Sequence, residues 1–125
     1  MRGMTLDTGA LIALERADKR MRARLFNARE DGQVVTVPAV VLGEWWRGGT
    51  ARQRTILNAV EVEPTWEHLC ELAGEAIAAL PGATVVDAIV MASAAQRGDL
   101  VYTSDFEDLD RLHTHFRSVH KVLRV

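Results

Sequence analysis

The sequence predicts an α/β domain with a central, mostly parallel sheet covered by helices on both faces. Three observations carry this expectation. Short β-branched or apolar runs alternate with longer helical stretches along the whole chain. Those stretches carry their own start and stop signals, in Thr, Pro and Gly residues at their ends. The 125 residues are 48% hydrophobic, enough for one core without disulfide or metal staples. No repeat, low-complexity tract or Pro/Gly/Ser linker interrupts the chain, so residues 1–125 read as a single domain.

The elements follow in order. Met4 to Leu6 is an apolar run that stops at Asp7-Thr8, a first strand. From Gly9, Leu11, Ile12 and Leu14 lead into a charged helical stretch with Thr8 as the expected N-cap. "QVVTVP" is a β-branched strand closed by Pro38, which can open a helix at its first position. That helix carries "AVVLGEWWRG" and stops near Gly48-Gly49; "ARQRTILNAV" is a further helix. "VEVEP" is a short strand, after which Thr65 is expected to cap a helix with Leu69, Leu72, Ala73, Ala76 and Leu80 on one face, ended by Pro81-Gly82. Thr84 and Asp87 have capping-box spacing at the head of "VVDAIVMASAAQR", and Gly98 supplies the stop. "LVYT" is a strand, "SDFEDLDRLH" a short helix and "HKVLRV" a closing strand.

Composition narrows the function classes. Cys70 stands alone, so no intramolecular disulfide framework exists, and a reducing compartment is expected. Asp7 and Glu15 break the only apolar run near the start, no secretory signal is visible, and no stretch approaches the ~20 apolar residues of a membrane span. A cytoplasmic protein without membrane attachment is the expectation. The net charge of −2 excludes a global basic footprint for nucleic acid. The charges are unevenly placed, however. Arg16, Lys19, Arg20, Arg22 and Arg24 cluster, Arg47, Arg52 and Arg54 form a second basic group, and acids gather in "SDFEDLD".

The chemistry is carried by carboxylates. Ligands of parallel α/β sheets bind beyond the carboxyl ends of the strands. Asp7 follows the first strand directly, and Asp105 follows "LVYT" after Thr103-Ser104, so both project at one edge if those strands are neighbours. Glu44, in the second turn of its helix, and Asp87, in the first turn of its own, can point over the same edge. Both lie inside apolar runs, where an isolated carboxylate is costly. Such a cluster repels itself and raises its own pKa values, a cost that a divalent cation removes. Carboxylate oxygens are what Mg²⁺ and Mn²⁺ select, and the metal can activate water for attack on a phosphodiester.

With these residues in view, the sequence resembles the PIN-domain ribonucleases, and in particular the VapC-type toxins of type II toxin–antitoxin pairs. The resemblance runs from "LDTGALIALE" through "VPAVVLGEWWRGG" and "VVDAIVMASAAQRGDLVYTSDFEDL" to the last strand. The family's acidic quartet falls on Asp7, Glu44, Asp87 and Asp105, with Asp7, Asp87 and Asp105 as metal ligands. The resemblance implies a three-layer α/β/α PIN-like domain, Mg²⁺- or Mn²⁺-dependent endonucleolytic cleavage of structured RNA such as tRNA or rRNA, a homodimer, and inhibition by a cognate antitoxin. Two departures matter. Gly9 stands where serine is frequent, which leaves any hydroxyl role there to Thr8. Asp108, one turn after Asp105, is a second candidate for the last acid.

Other residues admit lesser roles. One of Trp45 and Trp46 is expected in the core and the other exposed. Arg47 is a candidate phosphate or antitoxin contact, Arg16 to Arg24 a candidate phosphate-tracking surface, and Thr103 and Ser104 candidates to bond Asp105 or cap its helix. Cys70 is expected as a small core residue. His113, His115 and His120 match no closed structural-zinc spacing.

Three other readings compete. "LDTGA" is also how an aspartic-protease loop reads, but that enzyme is all-β, and "ALIALERADKRMRARLF" has helical composition. A haloacid-dehalogenase-type phosphatase needs an acid two residues after Asp7, where Gly9 stands. A catalytically silent PIN-like module that binds RNA or protein would usually lack acids that are all present here.

Overall fold

The structure is a computed structural model that describes residues 2–125. Five strands, β1 (Met4–Leu6), β2 (Val35–Pro38), β3 (Glu61–Glu63), β4 (Leu100–Thr103) and β5 (Lys121–Arg124), form one sheet in the order β3-β2-β1-β4-β5. Every pairing is parallel, with Leu6 opposite Tyr102 in the central β1–β4 pair. Each parallel step needs a helical crossover. α1 (Thr8–Glu15), α2 (Lys19–Glu30), α3 (Ala39–Trp45) and α4 (Ala51–Asn58) supply those on one side, with α1 packed on the other three. α5 (Glu67–Ala79), α6 (Val85–Arg97) and α7 (Phe106–His113) form the second layer, centred on α6. The three-layer α/β/α architecture is the one the alternation of elements predicts. The sheet is wholly rather than mostly parallel.

Parallel strands buried on both faces need apolar residues throughout. Leu6, Val37 and Val101 are fully buried, as are Leu11 of α1 and Val90 and Met91 of α6. Among the described residues, no fully buried side-chain nitrogen or oxygen lacks a hydrogen-bond partner. Arg97, at the end of α6, reaches Glu63 of β3 at 2.8 Å, Asp99 at 2.9 Å, and the hydroxyls of Thr5 and Ser93. Thr5, Ser93 and Asp99 are all buried, and Thr5 also donates to Asp99 at 2.8 Å. Gln53 of α4 is equally buried; its amide donates to the Trp45 carbonyl and its oxygen accepts from the Arg47 N–H.

Several local expectations are corrected. The charged stretch after Gly9 is two helices. α1 closes with Ala17 at φ 61°, its N–H on the Leu14 carbonyl and the Asp18 N–H on the Ala13 carbonyl, the Schellman pattern usually built on glycine. Asp18 then caps α2 by accepting from the Met21 N–H. Asp7, not Thr8, caps α1, because Asp7 alone keeps extended backbone while its carboxylate reaches the Ala10 N–H. Pro38 ends β2 and stands one residue before α3. Trp66 rather than Thr65 precedes α5, with no side-chain cap. α3 stops at Trp45, and Trp46 is extended.

Trp45 is the buried member of its pair, donating to Glu15 at 2.9 Å, while Trp46 is half-buried beneath the Arg54 guanidinium. Cys70 is exposed, against expectation. Leu69, Ala73 and Ala76 take the buried face of α5, and Cys70 is one residue off that stripe.

Candidate active site

Because β1 and β4 are neighbours, Asp7 and Asp105 leave the sheet side by side at its carboxyl edge. Asp7 is 5% exposed and held at three points. Its N–H donates to the Tyr102 carbonyl, its Oδ1 accepts from the Ala10 N–H at 2.9 Å, and its Oδ2 accepts the Thr103 hydroxyl. The same Thr103 oxygen accepts the Asp105 N–H at 2.8 Å. One buried hydroxyl therefore ties the first acid to the backbone of the last. Of the two roles the sequence offers Thr103, bonding Asp105 holds and capping does not; its bond to Asp7 follows from its buried position in β4, which no local pattern signals.

α3 packs against both α1 and α6, which brings Glu44 to this edge. The Thr8 hydroxyl, freed from capping, donates to Glu44 Oε1 at 2.5 Å. Glu44 itself is exposed, so the expectation of a carboxylate embedded in an apolar run is corrected: the apolar neighbours face inward and the acid faces out. Asp87 is half-buried in the first turn of α6, where its N–H donates to the Thr84 hydroxyl at 3.1 Å.

These acids line one cleft of about 240 Å³, with Thr8, Thr84 and Val86 completing its walls. Asp7, Glu44, Asp87, Asp105 and Asp108 all contribute, and the lining contains no Lys, Arg or His. Asp105 and Asp108 are both exposed, one turn apart at the head of α7. Arg47 is not brought to the cleft: it lies beyond the end of α3, exposed, with its guanidinium on the Trp46 carbonyl. Thr84, read from sequence only as a cap, is a wall of the cleft as well.

The electrostatics follow from this crowding. Burial pushes the Asp7 carboxyl above its ordinary value, and the Asp105 charge adds to the rise. The Thr103 hydroxyl and the Ala10 N–H pull the other way. Asp87 is pushed up to about 6, first by desolvation and then by the charges of Asp105, Asp108 and Asp7. Among the described residues, no three His, Cys, Asp or Glu side chains stand close enough to form a ready ligand cage. The donor set nonetheless suits a hydrated hard cation. It is all oxygen, no basic side chain neutralises it, and Mg²⁺ is usually held through one or two carboxylates with water on its other positions.

The fold and cleft define an α/β domain whose acids meet at the carboxyl edge of a parallel sheet. The family model for the PIN domain matches residues 4–113, and the chain belongs to the PIN-domain family. PIN domains are generally nucleases and typically use divalent metal ions. The fold is also similar to a solved structure described as FitAB bound to an IR36 DNA fragment. That likeness has a TM-score of 0.61 and 18% identity, over 97% of this chain and 94% of the other. No curated protein matches the sequence.

Proposed function

We propose that this protein is a Mg²⁺- or Mn²⁺-dependent endoribonuclease, the toxin of a type II toxin–antitoxin pair, acting on structured RNA such as tRNA or rRNA. The observation that carries the reading is the convergence of five carboxylates on one cleft without a basic residue in its lining. Asp7, Asp87 and Asp105 are assigned as metal ligands, directly or through the ion's retained waters, Glu44 as the fourth catalytic acid, and Asp108 as an auxiliary one. When bound, the cation supplies a water of lowered pKa and stabilises charge on the phosphodiester. Asp7 serves as a fixed ligand because Ala10 and Thr103 hold both its oxygens. Asp105 is kept beside it through the Thr103 hydroxyl. Glu44, tethered through Oε1 by Thr8, is assigned the role of orienting a cleft water and taking its proton.

Family membership supports a nuclease, and a similarly folded structure bound to DNA supports a nucleic-acid ligand. The RNA substrate, a cognate antitoxin, a homodimer and a cytoplasmic location belong to this proposal. Purified protein freed of any antitoxin is expected to cleave RNA with Mg²⁺ or Mn²⁺ and to stop on addition of EDTA. Asp7→Asn and Asp87→Asn are expected to abolish cleavage with the circular dichroism spectrum unchanged. Metal-independent cleavage, or full activity in both variants, would refute the assignment. RNA binding without cleavage at any metal concentration would favour the silent module.

A further inference from the structure

A second cleft, of about 560 Å³, is lined by residues that adjoin those of the acid cleft along the chain. The two share the segments that build the site: Asp7 and Thr8 line one and Gly9 the other, while Asp105 lines the first and Thr103 and Ser104 the second. Their charges are opposed. The second cleft carries Arg16, from the end of α1, and Arg124, from β5, with Asp18 as the one acidic side chain among the described residues of its lining. The Asp18 carboxylate is engaged at the head of α2, on the Met21 N–H. Arg16 makes no ion pair among the described residues.

Arg124 is paired with Glu107 at 3.0 Å and lies over the Phe106 ring. Both members of that pair are largely exposed, at 62% and 78%, and exposed pairs contribute little to stability. Its guanidinium is therefore free to turn to a stronger partner, and a phosphate, which accepts two parallel N–H bonds, is one. The Ser104 hydroxyl stands on the ridge between the clefts, over Gly9, where any side chain at position 9 would collide with it. Glycine there keeps the ridge low.

We propose that Arg16, Arg124 and Ser104 form a subsite for a backbone phosphate next to the scissile one, so that a nucleic-acid strand crosses the Ser104 ridge from the acid cleft into the basic one. This rests on the nuclease reading of the acid cleft, and its test is made independent of cleavage. A short fluorescein-labelled oligoribonucleotide is titrated with full-length protein in EDTA, by anisotropy, across a series of salt concentrations. Arg16→Gln and Arg124→Gln are each expected to weaken binding about fivefold at ~0.1 M salt and to flatten the log–log salt slope by about 0.7, the contribution of one single-strand phosphate contact. Arg54→Gln, on α4 and lining neither cleft, serves as the charge control and is expected to leave the slope unchanged.

The subsite is overturned if wild type fails to bind the oligoribonucleotide. It is also overturned if the slope does not change in the two variants, or changes equally in the control. Loss of affinity for an acidic peptide, with oligoribonucleotide affinity retained, would assign the cleft to a protein partner instead. Binding that behaves as expected in a protein that never cleaves RNA would retire the nuclease reading and leave the subsite standing.

Discussion

Asp87→Asn is expected to inactivate the protein and to make its metal-free form more stable. The native carboxyl titrates at about 6 against an ordinary 3.8. Between those values the native state holds more protons than the unfolded chain, so stability falls as pH rises through that window and levels off above it. The displacement corresponds to about 3 kcal/mol. Asp87 is only half-buried, and solvent screening reduces this to roughly 1–2 kcal/mol. Asparagine keeps the shape and the N–H bond to Thr84, but gives up about 0.5 kcal/mol of attraction between an acid in the first turn and the helix dipole. The net gain above pH 7 is about 1 kcal/mol, or roughly 3–5 °C in Tm for a domain of this size. Thermal melts in EDTA from pH 4 to pH 8 measure it, with the variant-minus-wild-type difference isolating this one group. The difference should grow between pH 4 and pH 6 and then hold. Millimolar Mg²⁺ should raise the Tm of wild type at pH 7.5 and do much less for the variant. A difference that is flat with pH, or a variant less stable at pH 8, would refute the account of a carboxylate under repulsion.

Other perturbations follow from single contacts. Thr103→Val should leave an Asp7 oxygen without its buried donor, costing about 1–3 kcal/mol by denaturant melts; Thr103→Ser should restore most of that and most of the cleavage rate. Gly9→Ala places a Cβ 2.0 Å from Ser104 Oγ and should destabilise by about 1–3 kcal/mol. The loss should shrink in the Gly9→Ala/Ser104→Gly double variant, and strict additivity would count against the contact. Ala17→Gly, at a left-handed helix end, should raise stability by about 0.5–1 kcal/mol, again by denaturant melts. Arg97→Met should cost about 3–5 kcal/mol, since the buried Asp99 and the partly buried Glu63 would both lose their cation.

The alternation of strands and helices was legible because parallel strands must be apolar and their crossovers helical, and each element left its own pattern. The acids of the cleft were legible for a related reason: four of them sit where a strand ends or a crossover helix passes the carboxyl edge. What sequence hides is the choice among near-equivalent partners. Asp7 and Thr8 are both able caps, and backbone extension at Asp7 decided between them. Glu44 lies among apolar neighbours, yet only a helix only seven residues long and exposed on that side tells which way it points. The periodicity of α5 was itself enough to place Cys70 outside the stripe, and the general burial of cysteine outweighed it wrongly. The bond from Thr103 to Asp105, two residues on, was legible, but its bond to Asp7 was not, because that partner comes from the far end of the chain.

That last separation governs when the site can exist. Asp7 and Thr103 are 96 residues apart, and the central strand β1 is flanked on one side only until β4 has joined it. Contacts between distant parts of a chain are the slow ones to form. During synthesis the first acid emerges 96 residues ahead of its threonine and waits, solvated, until β4 is made. A nascent chain whose β4 has not yet been made therefore holds no assembled acid cleft, whatever the state of its first strand.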